Sequence, residues 1–544
     1  METMMRISLY RSYWKNRKEN NSDYFACGWA EYKDEIYDAE RLAILLSEMR
    51  IDSVDAMKSL AFSLNGNFAL IVSSGNRVFI VSDRLRSYPI IYFMLDNILY
   101  LTDDIYLFRN DHDISFTPDD RIAEQFLCSN FIFGEYTIFQ NVYSTRAADV
   151  IVWDGKNFLR EQYFSWLPCM TDHGLLQSTI HEEAVKMDLT FKSAIGRIKP
   201  SRNQNLIVPL SGGHDSRIIV NYLYKAGIKN VICFSYGIAG NKQARISKQV
   251  AEALGYSWYF VEYTSDLMQE IACSGHIDNY CKYAFNGVAL PCLQDFAAVY
   301  YLKKAGIVQN GDIFIPGHAL DFIAGSHLSN DNKSILASLR RHFSEFGYAK
   351  RSRKLISWIE SIIKKYKCSP QQLGECFNWQ ERQSKFIANS VKCYEYFGFE
   401  WRIPLWDNEI VDYWMRVPSR CRYERNLFFA AEQNLLLCDQ LRDIPFANNL
   451  KTPLSFRTRV ASLMPSGLKK ILRLLGYRGT AYFVSEGSHL IYAQERELLV
   501  DYLHSKLPRS VKRYLKAYPK TLCLSGLGIN SVSTLKNIRD AYDQ

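Results

Sequence analysis

The stretch of residues 206–217, LIVPLSGGHDSR, constrains the fold more than any other part of the chain. Leu206, Ile207, Val208, Pro209 and Leu210 read as a short buried strand. Ser211-Gly212-Gly213-His214-Asp215-Ser216 follows, and Ile218, Ile219, Val220 and Leu223 then open a helical pattern that ends at Gly227. Strand, Ser/Gly turn and helix is the layout of a phosphate cradle. Gly212 and Gly213 let a ligand approach the main chain. The first N–H groups of the helix have no partner within it. Ser211 and Ser216 add hydroxyl donors, and Leu210 ends the strand at the same rim. Asp215 would repel a phosphate unless a metal stood between them, which points to Mg²⁺. The plainer reading is a glycine turn between a strand and a helix. SGGxDS is more specific than that, and it is not GxxxxGK[ST], because no lysine follows the glycines.

The motif resembles the PP-loop of ATP pyrophosphatases, which cleave ATP between the α and β phosphates. The rest of the chain is compatible with such a ligand. Its 544 residues allow two to four domains, and 48% apolar residues suffice for more than one core. A net charge of +9 suits an anionic ligand and does not call for nucleic acid. Thirteen scattered cysteines, without CxxC or zinc spacing, point to reduced thiols and hence to the cytoplasm. No long apolar segment suggests a signal peptide or a membrane span.

Residues 1–165 read as mostly β. Asn65-Gly66-Asn67 reads as a turn into the strand Phe68 to Val72, and Ser74-Gly75-Asn76 as a hairpin into Val78 to Val81. Further strands are expected around Ile90 to Phe93 and Ile98 to Thr102, with a turn at Asp96-Asn97. The (N/D)G-x-FA strand and the Asp83-Arg84 segment resemble the class II glutamine amidotransferase domain, an Ntn-type α+β fold. Arg86 stands where that family usually has Gly. The family's nucleophile is a cysteine directly after the initiator Met, whose free amine serves as base. Here position 2 is Glu2 and the first cysteine is Cys27. The resemblance therefore implies a retained fold without glutaminase activity, with Cys27 a core residue.

Residues 166–185 read as a linker. From residue 186 to 440 strand and helix alternate, the sign of a parallel α/β sheet. Residues 231–237 form the expected second strand, 242–254 a helix and 258–261 a third strand. Ligands of such sheets bind at the carboxyl ends of the strands, which sets Tyr236 and Gly237 on the same rim as Ser211.

Residues 313–325, IFIPGHALDFIAG, resemble the S-G-E-G-x-D-E-x-F-G-G segment of asparagine synthetases. On that register Gly317 takes the place of the nucleotide-contacting Gly, and Asp321 that of the second Mg²⁺ carboxylate. His318 replaces a Glu, Ala319 a Gly and Phe322 the second acidic residue. A histidine there changes the proton chemistry and argues against aspartate as substrate. Residues 400–407, EWRIPLWD, resemble E-x-R-x-P-F-L-D of the same family, and residues 408–414 its following helix. Residues 423–430 resemble its K-x-L-L-R-x-A helix start, with Arg425 on the charge-stabilising lysine and Arg422 as the alternative. The chain thus resembles the asparagine-synthase superfamily over most of residues 60–440. Residues 286–295, NGVALPCLQD, bring it nearest to members in surface-polysaccharide gene clusters.

The resemblance implies an ATP-dependent, AMP- and pyrophosphate-forming amide ligase. ATP and Mg²⁺ would sit at Leu210, Ser211, Gly212, Gly213, Asp215, Ser216, Tyr236, Gly237 and Gly317, with Asp215 and Asp321 on the metal. Arg425 would neutralise developing charge, and His318 would either deprotonate the amine or orient the substrate. The expected partners are a small-molecule or glycan carboxylate, such as a sugar acid, and ammonia or an amine. A homodimer is compatible with this reading. Two other readings stay open: a PP-loop tRNA-modifying enzyme, and a nucleotide-binding pseudoenzyme that scaffolds partners. Residues 441–544 are expected to be helical. Within 451–482 seven Lys/Arg stand without an acidic residue, which reads either as a wet helical face or as a surface for an anionic glycolipid or membrane.

Overall fold

The computed structural model describes residues 5–49, 51–169, 179–201, 203–328 and 369–447. In the first part of the chain lie β1 (Met5–Ser8), β2 (Lys15–Glu19), β3 (Ser22–Tyr32), β4 (Glu35–Asp38), β5 (Asn65–Ser74), β6 (Arg77–Ser82), β7 (Ile91–Leu95), β8 (Ile98–Thr102), β9 (Val142–Ser144), β10 (Asp149–Trp153) and β11 (Phe158–Gln162). They form two sheets. One has the order β11-β10-β6-β5-β3-β2, with β4 also on β3, and the other β1-β8-β7-β9. The hairpin of β5 and β6 is present, Ile71 facing Ile80. Asn65-Gly66 belongs to the strand rather than to a turn. A Cβ at Gly66 would lie 2.3 Å from the Trp29 carbonyl oxygen, so the close approach of the paired strand β3, not a bend, requires the glycine.

Side chains alternate across β5 and β6, and both faces are buried. Ala69, Ile71, Val78 and Ile80 share one core with Ile91, Phe93 and Leu99 of the smaller sheet. Phe68, Leu70, Val72 and Val81 pack with Leu42, Leu46, Met57 and Leu60 of two helices, Ala39–Glu48 and Val54–Ser63. Two buried faces explain why β5 reads as a continuous apolar run. Those helices start where Asp38 and Ser53 accept from the N–H groups of Arg41 and Ala56. The stacking of helices, sheet and sheet does not by itself single out the Ntn-type arrangement expected from the sequence.

Residues 170–178 of the expected linker lie outside the described residues. The helix Ile180–Gly196 begins inside the linker's span, because Thr179 and Glu182 form a capping box. Beyond it comes the parallel sheet: β12 (Leu206–Pro209), β13 (Val231–Gly237), β14 (Ser257–Glu262), β15 (Ile313–Phe314) and β16 (Glu400–Trp401), in the order β14-β13-β12-β15-β16. All four pairings are parallel. The order reverses around β12, which places the turn after β12 at a crevice of the sheet. β16 is only two residues long, too short for a periodic signal.

Buried polar contacts tie the two parts together. Arg11 donates to Glu395, Lys392 to the Ser87 carbonyl, and Arg197 to Glu31. Of the expected carboxyl-terminal helical region only residues 441–447 are described. The basic stretch 451–482 lies outside the described residues. No described helix is long and apolar enough to cross a membrane.

Candidate functional site

The turn after β12 is built from its own hydroxyls. Ser216 Oγ accepts from the Ser211 N–H at 3.0 Å and lies 3.0 Å from Ser211 Oγ, which accepts from the Gly213 N–H at 3.2 Å. These bonds fold the loop back onto the start of the helix Asp215–Lys225. Its first N–H groups have no carbonyl within the helix to bond, and its N-cap, His214, gives no side-chain cap. A helix start left uncapped by its own side chains, behind a Ser-Gly-Gly turn, suits an anion.

Gly317 packs directly onto that helix start. A Cβ there would stand 2.8 Å from the Ser216 nitrogen, so only glycine allows the two loops to touch. The contact brings the second motif to the first. Asp215 Oδ2 accepts from the Asp321 N–H at 3.0 Å, and Asp215 Oδ1 pairs with Arg425 at 2.6 Å. Burial holds the Asp215 carboxyl up at about 6; Arg425 pulls it down, and Asp321 pushes it up again. Burial, the larger cause, disfavours the charged carboxylate, and a cation beside Asp215 and Asp321 would offset that cost. Two hard oxygen donors, with ligand phosphates and water to complete the shell, fit Mg²⁺. Among the described residues no group of three or more His, Cys, Asp or Glu forms a metal cage.

Arg425 is the arginine of this site, and Arg422 is not. Arg422 is fully buried and bonds both oxygens of Glu375, at 2.7 and 3.0 Å, and the Val417 carbonyl. Glu424 and Arg425 both take left-handed backbone angles, φ 51° and 63°. Such a pair is strained for residues with side chains. It turns the chain so that Arg425 points at Asp215. Arg425 Nε is buried without a hydrogen-bond partner among the described residues, a donor left for something else.

Leu210, Ser211 and Tyr236 line a cavity of about 130 Å³ between the carboxyl ends of β12 and β13, closed by Asn241, Ala244 and Gln294. The Tyr236 hydroxyl donates to Asp295 at 2.6 Å, and that of Tyr394 to the other Asp295 oxygen at 2.5 Å. Gly237 ends β13 with φ 128°, and its carbonyl accepts from Tyr263. His318 Nε2 lies 2.6 Å from Ser390 Oγ. Burial pushes its imidazole below the ordinary value, while Asp295 and Asp321 act in the opposite direction. A neutral ring at pH 7 follows.

Gly212 has a neighbour that the sequence did not announce. Its carbonyl accepts from the Ala447 N–H at 2.9 Å. Arg217 donates to the carbonyls of Ile444 and Pro445 and covers the Phe446 ring at 3.8 Å. His214 stacks on that ring at 3.8 Å and bonds Glu432 at 2.7 Å. Asp295 and Ser390 are likewise functional candidates that sequence reasoning missed. Asp295 ends the segment 286–295 noted for its resemblance; Ser390 carries no local signal.

No family model and no curated protein sequence matches the chain. Among solved structures it is similar to an NH3-dependent NAD synthetase from Campylobacter jejuni, with 13% identity over 37% of this chain and 93% of that one and a TM-score of 0.20. It is also similar to an NMN synthetase from Francisella tularensis, with 12% identity, 38% and 94% coverage and a TM-score of 0.20. A U34-tRNA thiolase from Methanococcus maripaludis aligns at 15% identity over 62% of this chain and 88% of its own, with a TM-score of 0.23. At TM-scores this low the likenesses carry no weight for substrate or reaction.

Proposed function

We propose that the chain is an ATP-dependent ligase that activates a carboxylate as an acyl-adenylate for attack by ammonia or an amine. The observation that carries the reading is the meeting of three sequence-distant groups, Asp215, Asp321 and Arg425, at the mouth of the parallel sheet beside the uncapped helix. The cavity lined by Leu210, Ser211 and Tyr236 would take the adenine and ribose, and the turn of residues 211–216 the phosphates. Gly317 and Gly237 allow the backbone to come close. Asp215 and Asp321 would hold Mg²⁺, which stabilises charge on phosphate oxygens when bound.

In the proposed reaction the carboxylate oxygen attacks the α-phosphorus, pyrophosphate leaves, and the amine then displaces AMP. The turn has no lysine for the terminal phosphate, so it is suited to hold pyrophosphate as the leaving group. Arg425 supplies fixed positive charge and cannot transfer a proton. Neutral His318, held by Ser390, is suited to take the amine's proton. Cys27 offers no route to glutamine hydrolysis. It is wholly buried, its thiol lies 3.7 Å from the Ala69 carbonyl, and burial pushes its pKa well up. The nitrogen would come from free ammonia or an amine. A sugar acid of a surface polysaccharide remains the proposed acceptor class, with the cytoplasm as the proposed place.

The test is incubation of purified protein with ATP, Mg²⁺, ammonia and a panel of carboxylates, with separation of the nucleotides. AMP and pyrophosphate are expected; ADP as the main product removes the mechanism. A pseudoenzyme predicts neither.

A further inference from the structure

Three residues of the phosphate turn and its helix, Gly212, His214 and Arg217, meet one short segment, residues 444–447. The Gly212 carbonyl accepts from the Ala447 N–H at 2.9 Å. Arg217, fully buried, donates to the Ile444 and Pro445 carbonyls at 2.6 and 2.7 Å. The Phe446 ring lies between His214, stacked on it at 3.8 Å, and the Arg217 guanidinium, also at 3.8 Å. A ring held on both faces, beside hydrogen bonds to the chain on either side of it, makes a fixed seat. His214 is fixed in turn by buried Glu432, 2.7 Å from its Nδ1.

Gly212 shows what that seat requires. Its φ is not in the left-handed region, so its backbone conformation admits other residues. A Cβ there would stand 2.8 Å from the Ala447 Cβ, with the Gln243 Cα next at 3.3 Å. The close approach of residues 444–447 therefore accounts for this glycine. The consequence falls on the following N–H. In a trans peptide the carbonyl and the N–H point in opposite directions. Drawing the Gly212 carbonyl to Ala447 turns the Gly213 N–H the other way, into the turn, where its bond to Ser211 Oγ is long, at 3.2 Å. A carbonyl oxygen that would repel phosphate oxygens is drawn out of the turn by the same bond.

We infer that residues 444–447 are a strap that positions the peptide between Gly212 and Gly213, so that the Gly213 N–H faces the phosphates of the nucleotide. Gly212, Phe446 and Ala447 are then positioning residues for the leaving pyrophosphate. The inference rests on the nucleotide reading of the turn and adds the segment that shapes it.

The test uses the full chain and a double-mutant cycle. The proteins are wild type, Gly212→Ala, Ala447→Gly, the variant carrying both changes, Phe446→Ala and Phe446→Tyr. Each is titrated by calorimetry with α,β-methylene-ATP, pyrophosphate and adenosine, with Mg²⁺ present. Gly212→Ala and Phe446→Ala should weaken α,β-methylene-ATP and pyrophosphate by about tenfold or more, the scale of a hydrogen bond to a charged group. Adenosine affinity should change by less than about twofold, because the strap acts on the turn and not on the cavity. The variant with both changes should return to within about twofold of wild type, since removing the Ala447 methyl makes room for the new one. Phe446→Tyr keeps the ring and should bind as wild type does. A double variant as weak as Gly212→Ala overturns the inference and gives that glycine to the ligand. Unchanged phosphate affinity in Gly212→Ala and Phe446→Ala overturns it too, as does a loss that extends equally to adenosine. If wild type binds neither nucleotide nor pyrophosphate, the nucleotide reading falls, and hydrogen exchange over residues 211–217 decides the strap. Faster exchange in Gly212→Ala that the second change reverses supports it, and equal exchange in all variants overturns it.

Discussion

Two regions of this chain hold arginine and carboxylate close together, and they are built on opposite plans. Around Cys27 the space is filled. Gly28 lets Tyr88 in, since a Cβ there would stand 2.6 Å from that ring, and Tyr88 stacks on Trp401 at 5.3 Å and meets Tyr13 at 5.0 Å. The charges beside it are matched, Glu395 accepting from Arg11, Lys392, Tyr283 and Trp401. At the mouth of the parallel sheet the reverse holds. Arg425 bonds Asp215 but not Asp321, and a donor of that arginine has no partner among the described residues. Filled space with matched charge makes a body; open space with unmatched charge makes a site.

The sharpest way to break this contrast is to unmatch a structural charge. Glu375→Ala should destabilise the fold by about 3–5 kcal/mol, because Arg422 is then buried without its partner. Nucleotide affinity of the folded fraction should not change. Denaturant melts and calorimetry read the two effects separately, and a loss of affinity with full stability would reassign Arg422 to the site. The same pair predicts an acid transition. Burial pushes the Glu375 carboxyl up, but Arg422 and His327 outweigh it and bring it down to about 2. A folded value below the ordinary carboxylate range means stability present above about pH 4.5 and lost as pH falls towards 2. Glu375→Gln should flatten stability against pH in that window.

At the site itself, Asp321→Ala should slow pyrophosphate formation by about 10²-fold or more, the scale of one lost electrostatic stabiliser. Arg425→Ala should slow the chemical step while nucleotide affinity stays nearly constant, its charge counting most in the transition state. Single-turnover rates beside binding constants decide this, and a fully active Arg425→Ala ends that residue's role.

The smallest effect concerns Ala319, which has φ 80° where the asparagine-synthetase pattern has glycine. Ala319→Gly should raise stability by up to about 1 kcal/mol, since it relieves a left-handed alanine at some cost in chain entropy. A lower melting temperature would mean that the buried methyl group matters more than the strain.

Ala319 also shows how much of the site was legible. Where a ligand must approach the backbone, few residue types serve, and so the order Ser-Gly-Gly-x-Asp-Ser and the pair Gly317 and Asp321 could be read directly. The position of Ala319 needs a positive φ, and so does that of Arg86, at 58°. Both had been noted only as departures from glycine. Arg422 and Arg425 could not be separated by pattern, because the left-handed turn at Glu424 and Arg425 decides which one faces the site. Ser390 and the Phe446 stack on His214 are products of tertiary packing and leave no local trace. β5 begins earlier than its sequence suggests, because a glycine required by the close approach of the paired β3 looks, in sequence, like a turn.

The central claim is that Asp215, beside the turn of residues 211–216, organises an ATP site. Calorimetry of α,β-methylene-ATP with Mg²⁺ tests it most directly, wild type against Asp215→Ala. Binding to wild type, weakened at least about tenfold by the substitution, is expected from the loss of a charged ligand to the bound ion; equal affinities in the two proteins, or no binding to wild type, would contradict it.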